Sequence, residues 1–167
     1  DHVGIPFSGK QKYYMLEIHY ENPNKNNFVD HSGFRIHYTS KLRPYDGGIM
    51  INGISISDTQ FIPPRQSSFR NIGICGPSCK YFLHKFNFHT AIYERVFVGT
   101  ENVFPDEGIN IVSVSIHTHT SGRNVKLSQI RNGREINRIV EDNYYNYNYQ
   151  EVRQLANETK VLPGDFM

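Results

Sequence analysis

NVKLSQIRNGREINRIV, Asn124 to Val140, reads as two short strand-like runs folded about Asn132-Gly133. Both turn residues tolerate positive φ, which the tightest hairpin turns require, so the dipeptide predicts a β-hairpin. The same grammar recurs outward from it. GGIMINGISIS sets Asn52-Gly53 between two alternating apolar runs, a second predicted hairpin. FRIHYTSKL alternates with Phe34, Ile36 and Tyr38 on the expected core face. YYMLEIHY, Tyr13 to Tyr20, puts Tyr14, Leu16, Ile18 and Tyr20 opposite Met15, Glu17 and His19. GINIVSVSIHTHT is the longest strand candidate. Only the short stretch from Tyr149 to Leu155 hints at a helical stripe, and residues 80–107 have no clear register. Short strands and frequent turns predict an all-β chain, an antiparallel sandwich or jelly roll.

At 167 residues the chain holds one domain, or one domain and part of another. A 38% hydrophobic and 20% charged composition is that of a globular protein, not a disordered one. The net charge of +2, with Lys and Arg scattered, excludes a clustered nucleic-acid surface. No apolar run approaches the roughly 18 residues of a membrane span, and no signal peptide is visible. The chain opens on Asp1 and reads as a piece of something longer, so a missing signal carries no information. G-x-S-x-G, P-loop and G-x-G-x-x-G motifs are absent, and Glu17, Asp142 and Asp165 are isolated carboxylates with no partner for acid/base work.

The histidines carry the chemistry. In the run from Ile109, strand parity puts Val112, Val114, Ile116 and Thr118 on one face and Ser113, Ser115, His117 and His119 on the other. His117 and His119 are therefore either a two-nitrogen clamp for one metal ion or two solvated residues of a polar strand face. His19 and His37 also lie opposite bulky apolar neighbours and read as exposed strand histidines; His2, His31, His84 and His89 fall in loops or in the segment of unclear register. Cys75 and Cys79, as CGPSC, allow a mutual disulfide, two disulfides outside this chain, or two thiols, and make a poor zinc site without a second pair. Asn157-Glu158-Thr159 is a glycosylation sequon, consistent with a secreted protein.

Several words then line up in order: LEIHYENP (Leu16 to Pro23), SGFRIHYTSKLRPYDGGIM (Ser32 to Met50), IPPR (Ile62 to Arg65), the C-x3-C, HTHTSGR (His117 to Arg123), RNGRE (Arg131 to Glu135), NYQEVRQL (Asn148 to Leu155) and LPGD (Leu162 to Asp165). Together they resemble the copper type II, ascorbate-dependent monooxygenases, nearest the dopamine β-hydroxylase and monooxygenase-X branches.

That resemblance implies two jelly-roll domains in tandem, each with one copper. Residues 1–23 would supply the last strand of the first domain and residues 24–167 most of the second, without its final strands. Residues 81–107 would be an insertion, because the family's spacing between C-x3-C and H-x-H is much shorter. It further implies that His19 belongs to the electron-transfer copper and that His117 and His119 hold the oxygen-binding copper, His117 being taken as catalytic. The family's thioether ligand would lie beyond Met167, which falls too early for that role. Cys75 and Cys79 would pair with partners further downstream in the complete protein and stay unpaired in this chain.

The implied reaction is hydroxylation of an activated C–H bond in a small dopamine- or tyramine-like amine, with O2 as oxidant and ascorbate as electron donor. Ser115 stands where the peptide-amidating branch carries an arginine, and Glu17 matches the amine branch. The expected compartment is the secretory pathway, with membrane association or oligomerisation of the parent protein open. This chain alone is expected to bind copper weakly and not to turn over. The contrasting expectation is a secreted jelly-roll module that has lost copper chemistry and serves binding.

Overall fold

The computed structural model describes residues 2–6, 15–54, 61–76, 80–87, 92–99 and 104–167. The described residues form strands and no helix: β1 (Val3–Gly4), β2 (Tyr45–Asp46), β3 (Lys80–Asn87), β4 (Ile92–Gly99), β5 (Ile109–Ser115), β6 (Val125–Arg131), β7 (Arg134–Asp142) and β8 (Val152–Val161). Two compact units result, residues 1–50 and residues 51–167.

In the first unit β1 and β2 pair in parallel, Val3 opposite Tyr45 and Gly4 opposite Asp46. The strands expected at Leu16–Tyr20 and Phe34–Leu42 do not form, and Tyr13 and Tyr14 lie outside the described residues. Phe34, Ile36 and Tyr38, expected in a core, are 70%, 61% and 87% exposed. Alternation marks the face a strand would bury, but a strand exists only against a hydrogen-bonded neighbour, and no described segment pairs with these. The hairpin expected at Asn52-Gly53 is likewise missing from residues 49–54, and residues 55–60 lie outside the description.

In the second unit the larger strands all pair antiparallel, and the fold is an all-β sandwich. β6 and β7 make the hairpin read from Asn132-Gly133, with φ of 52° and 74° at the two turn residues. Positive φ at both positions gives the turn whose twist matches that of the flanking strands. β5 pairs with β8, so the β6–β7 hairpin is nested in sequence between the strands of an outer pair. β8 replaces the helical hint at Tyr149–Leu155: the 3.6-residue spacing there is shorter than two turns, and pairing with β5 overrides it. β3 and β4, in the segment without clear register, form a regular antiparallel hairpin from Lys80 opposite Gly99 to Asn87 opposite Ile92. It is a sheet of its own within the span read as an insertion.

Among the described residues the buried apolar ones are Cys75, Ile116, Ile139, Tyr145, Val161 and Met167. Among the described residues, three side-chain bonds tie β8 to the hairpin: Gln129 Nε2 donates to the Lys160 carbonyl at 2.8 Å, Asn137 Nδ2 to Thr159 Oγ1 at 3.2 Å, and Arg153 Nη2 to the Asp142 carboxylate. The LPGD turn folds back so that the backbones of Phe166 and Ile130 exchange both hydrogen bonds, as do those of Met167 and Cys75. Asp165 locks this turn. Its buried carboxylate accepts from Arg131 Nε (2.6 Å), Arg131 Nη2 (2.7 Å), Gln129 Nε2 (2.7 Å) and the Leu162 amide (2.8 Å). Arg131 holds the Asp165 pKa down at about 2, against the opposing effect of burial. The carboxylate that looked isolated in sequence is a structural ion pair.

Candidate metal centre

β5 ends at Ser115, yet its parity continues: Ser115 is exposed, Ile116 buried, His117 exposed, Thr118 half-buried and His119 exposed. Both imidazoles therefore project from the same, non-core side. Their ring centroids lie 5.3 Å apart with planes at 87°. The strand ladder cannot be what keeps this order, because it stops before His117. Tyr145 does so. Its buried hydroxyl accepts from the Thr118 amide at 3.1 Å and donates to the Ile116 carbonyl at 3.4 Å, one partner on each side of His117. The Tyr145 amide in turn donates to the Arg123 carbonyl at 2.9 Å.

After His119 the chain turns sharply, the Gly122 amide donating to the His119 carbonyl at 3.0 Å. Gly122 is needed there because a Cβ would stand 1.9 Å from Thr118 Oγ1 and 2.7 Å from Thr118 Cβ. Arg123 Nη1 then donates to the Thr120 and Gly122 carbonyls at 2.6 and 2.8 Å, closing the turn.

Gln150 decides which nitrogen His117 presents. Gln150 Nε2 donates to the Tyr147 carbonyl at 2.8 Å, which fixes the amide's orientation and turns Oε1 toward His117. That oxygen lies 2.5 Å from His117 Nδ1 and can only accept, so Nδ1 donates to it and Nε2 is the ring nitrogen left to face outward. A carbonyl behind one ring nitrogen is the arrangement that orients ligating histidines. Sequence reasoning passed over Tyr145 and Gln150 because both sit in DNYYNYNYQE, a stretch notable only for its composition; no spacing rule links them to residues some thirty positions earlier.

The donor set fits copper. Imidazole nitrogens stabilise both Cu(I) and Cu(II), and a metal sits about 2 Å from each ligating nitrogen, so two exposed rings whose centroids lie 5.3 Å apart are close enough to share one ion. Two nitrogens do not complete a site, and no group of three His, Cys, Asp or Glu side chains poised for a metal occurs among the described residues. Met167 is buried in the core with its backbone held by Cys75. Cys75 is buried as well, and Cys79 lies outside the described residues, as does the pairing expected of it. His19, in the first unit, is exposed and contacts the Glu17 carboxylate through Nε2. No helix of the described residues is long and apolar enough to cross a membrane.

Comparison with known proteins gives this geometry a context. MOXD1 homolog 1 of Drosophila melanogaster is 49% identical over 168 residues, covering 99% of this chain and 21% of its own length. Tyramine beta-hydroxylase of Caenorhabditis briggsae is 37% identical, covering 98% of the chain and 25% of its own length. Dopamine beta-hydroxylase of Canis lupus familiaris is 34% identical, covering all of the chain and 24% of its own length. The chain thus spans about a quarter or less of these relatives. Residues 45–167 match the family described as copper type II ascorbate-dependent monooxygenase, C-terminal domain, and with most of its length inside that match the chain belongs to the copper type II ascorbate-dependent monooxygenases.

Proposed function

We propose that this chain is part of an amine-type copper monooxygenase and that His117 and His119 are two of the ligands of its substrate-facing copper. The observation that carries the reading is the exposed H-x-H pair with Gln150 behind His117 Nδ1 and Nε2 left as a donor. Copper bound there would supply one-electron redox cycling and a place for dioxygen, with ascorbate as the source of electrons. The chain's own contribution is positional. Tyr145 holds the backbone around His117, Gln150 holds the ring, and the Gly122 turn holds His119.

His19 is assigned to a second, electron-transferring copper, with residues 1–23 as the last strand of a preceding domain and residues 24–167 as most of the catalytic one. The substrate class is a small dopamine- or tyramine-like amine, in keeping with the hydroxylases among the relatives. Ser115 supports it, since its short neutral side chain has no charge with which to hold a peptide carboxylate. The compartment is the secretory pathway.

Copper titration of the full chain and of a His117→Ala, His119→Ala double variant tests the assignment. The variant should lose one copper equivalent, while circular dichroism keeps its β signature. Unchanged stoichiometry and affinity would leave the chain a β-sandwich binding module without copper chemistry at this pair.

A further inference from the structure

Asn157-Glu158-Thr159 is the one Asn-X-Ser/Thr triplet in the chain, and it falls where β8 leaves its ladder. Ile111 pairs with Thr159, and Ser113 pairs with Gln154. Residues 155–158 of β8 therefore stand opposite Val112 alone. In a regular strand Asn157 would share a face with Thr159 and Val161, both of which are buried. The irregularity breaks that parity: Leu155 is half-buried, and Ala156, Asn157 and Glu158 are exposed. A bulge re-aims side chains, and this one turns the Asn157 amide out of the sandwich.

The neighbours are anchored while Asn157 is not. Thr159 Oγ1 accepts from Asn137 Nδ2 at 3.2 Å, and Glu158 Oε2 accepts from Asn110 Nδ2 at 3.0 Å. The Asn157 side chain makes no hydrogen bond among the described residues. It stands on the wall of an open groove of about 470 Å³ lined by Ile136, Ile139 and Leu155, which leaves room for a sugar beside it.

We propose that Asn157 is an N-glycan attachment site and that the β8 bulge exists in a form that tolerates the glycan. The inference rests on the secretory-pathway reading above. Asn157 Nδ2 would attack C1 of an oligosaccharide carried on a polyprenyl diphosphate. The N–C1 bond forms as the C1–O bond to the diphosphate breaks; the amide proton passes to a base of the transferase, the polyprenyl diphosphate leaves, and nothing is oxidised or reduced. Thr159 is buried once β8 has formed, so transfer precedes folding of this strand. With regular pairing, the attached sugar would then point into the core and block the sheet. With the bulge, it lies in solvent.

The test expresses the complete parent protein in insect cells, recovers it from medium and membrane-enclosed fractions, and follows the tryptic peptide Gln154–Lys160. Peptide N-glycosidase digestion in heavy-oxygen water should convert most of this peptide to the labelled aspartate form. Asn157→Gln should remove one endoglycosidase-sensitive mass step, and Thr159→Ser, which keeps the triplet, should retain it. An unmodified peptide from protein that did enter the secretory pathway overturns the glycan site alone. Recovery of the complete parent protein only from cytosol overturns the compartment reading, and the site with it.

Discussion

Gln150 and His117 are 33 residues apart in sequence and joined by a 2.5 Å contact in space, the amide oxygen behind Nδ1 of the ring. The contact lets a loop between two strands choose the nitrogen that a strand-end histidine offers. Replacing Gln150 by Leu keeps the side chain's bulk and removes the acceptor. Outer-shell partners of metal-binding histidines are typically worth about 10–100-fold in metal affinity, and a loss in that range is expected for Gln150→Leu. Competition against a chromophoric Cu(I) chelator reads it directly. An affinity equal to wild type would show that the ring needs no orienting partner.

Tyr145→Phe removes one hydroxyl and with it two backbone bonds, to Thr118 N–H and Ile116 C=O. Leaving such part-buried groups unpaired costs about 1–3 kcal/mol, so the urea midpoint should fall while the m-value stays the same. Copper affinity should fall too, because the segment bearing both histidines loses the pin beyond the end of β5. If stability drops and the copper spectrum is unaltered, Tyr145 supports the fold only.

Asp165 predicts an acid limit. Its folded pKa of about 2 lies below the ordinary 3.8, so the unfolded chain takes up the proton first as pH falls. The ion pair with Arg131 therefore stabilises fully above about pH 4 and loses its contribution as pH falls through about 2. Discounted for solvent around the partly exposed Arg131, that contribution is on the order of 1–2 kcal/mol. Thermal melts of wild type and Asp165→Asn should diverge at neutral pH and converge near pH 2; parallel curves across the range would exclude the linkage.

Gly133 sits at φ 74° in the β6–β7 turn with open space around its α-carbon. Only the backbone conformation opposes a side chain there. A left-handed conformation costs a non-glycine residue about 1–2 kcal/mol, so Gly133→Val should lower the melting temperature without changing the copper stoichiometry. A neutral Gly133→Val would mean that the turn can be rebuilt.

The sequence carried what is local. Asn132-Gly133 specified a hairpin because positive φ at two successive residues is a property of those residues themselves. The parity that set His117 and His119 on the solvent side of Ile116 held for the same reason, since alternation is built into extended backbone. The ordered words from LEIHYENP to LPGD were enough to name the family. Partnership between distant segments was not legible. Phe34, Ile36 and Tyr38 alternate as a core strand should, yet stay exposed for want of a paired neighbour, whereas β8 formed from a stretch whose own pattern leaned toward helix. Asp165 looked solitary until the LPGD turn brought it to Arg131, and Gln150 and Tyr145 acquired roles only when their loop closed over the end of β5. Sequence determined the periodicity and the side-chain chemistry. Tertiary structure alone decided their partners, because hydrogen bonds across thirty residues depend on where the chain returns and not on any spacing along it.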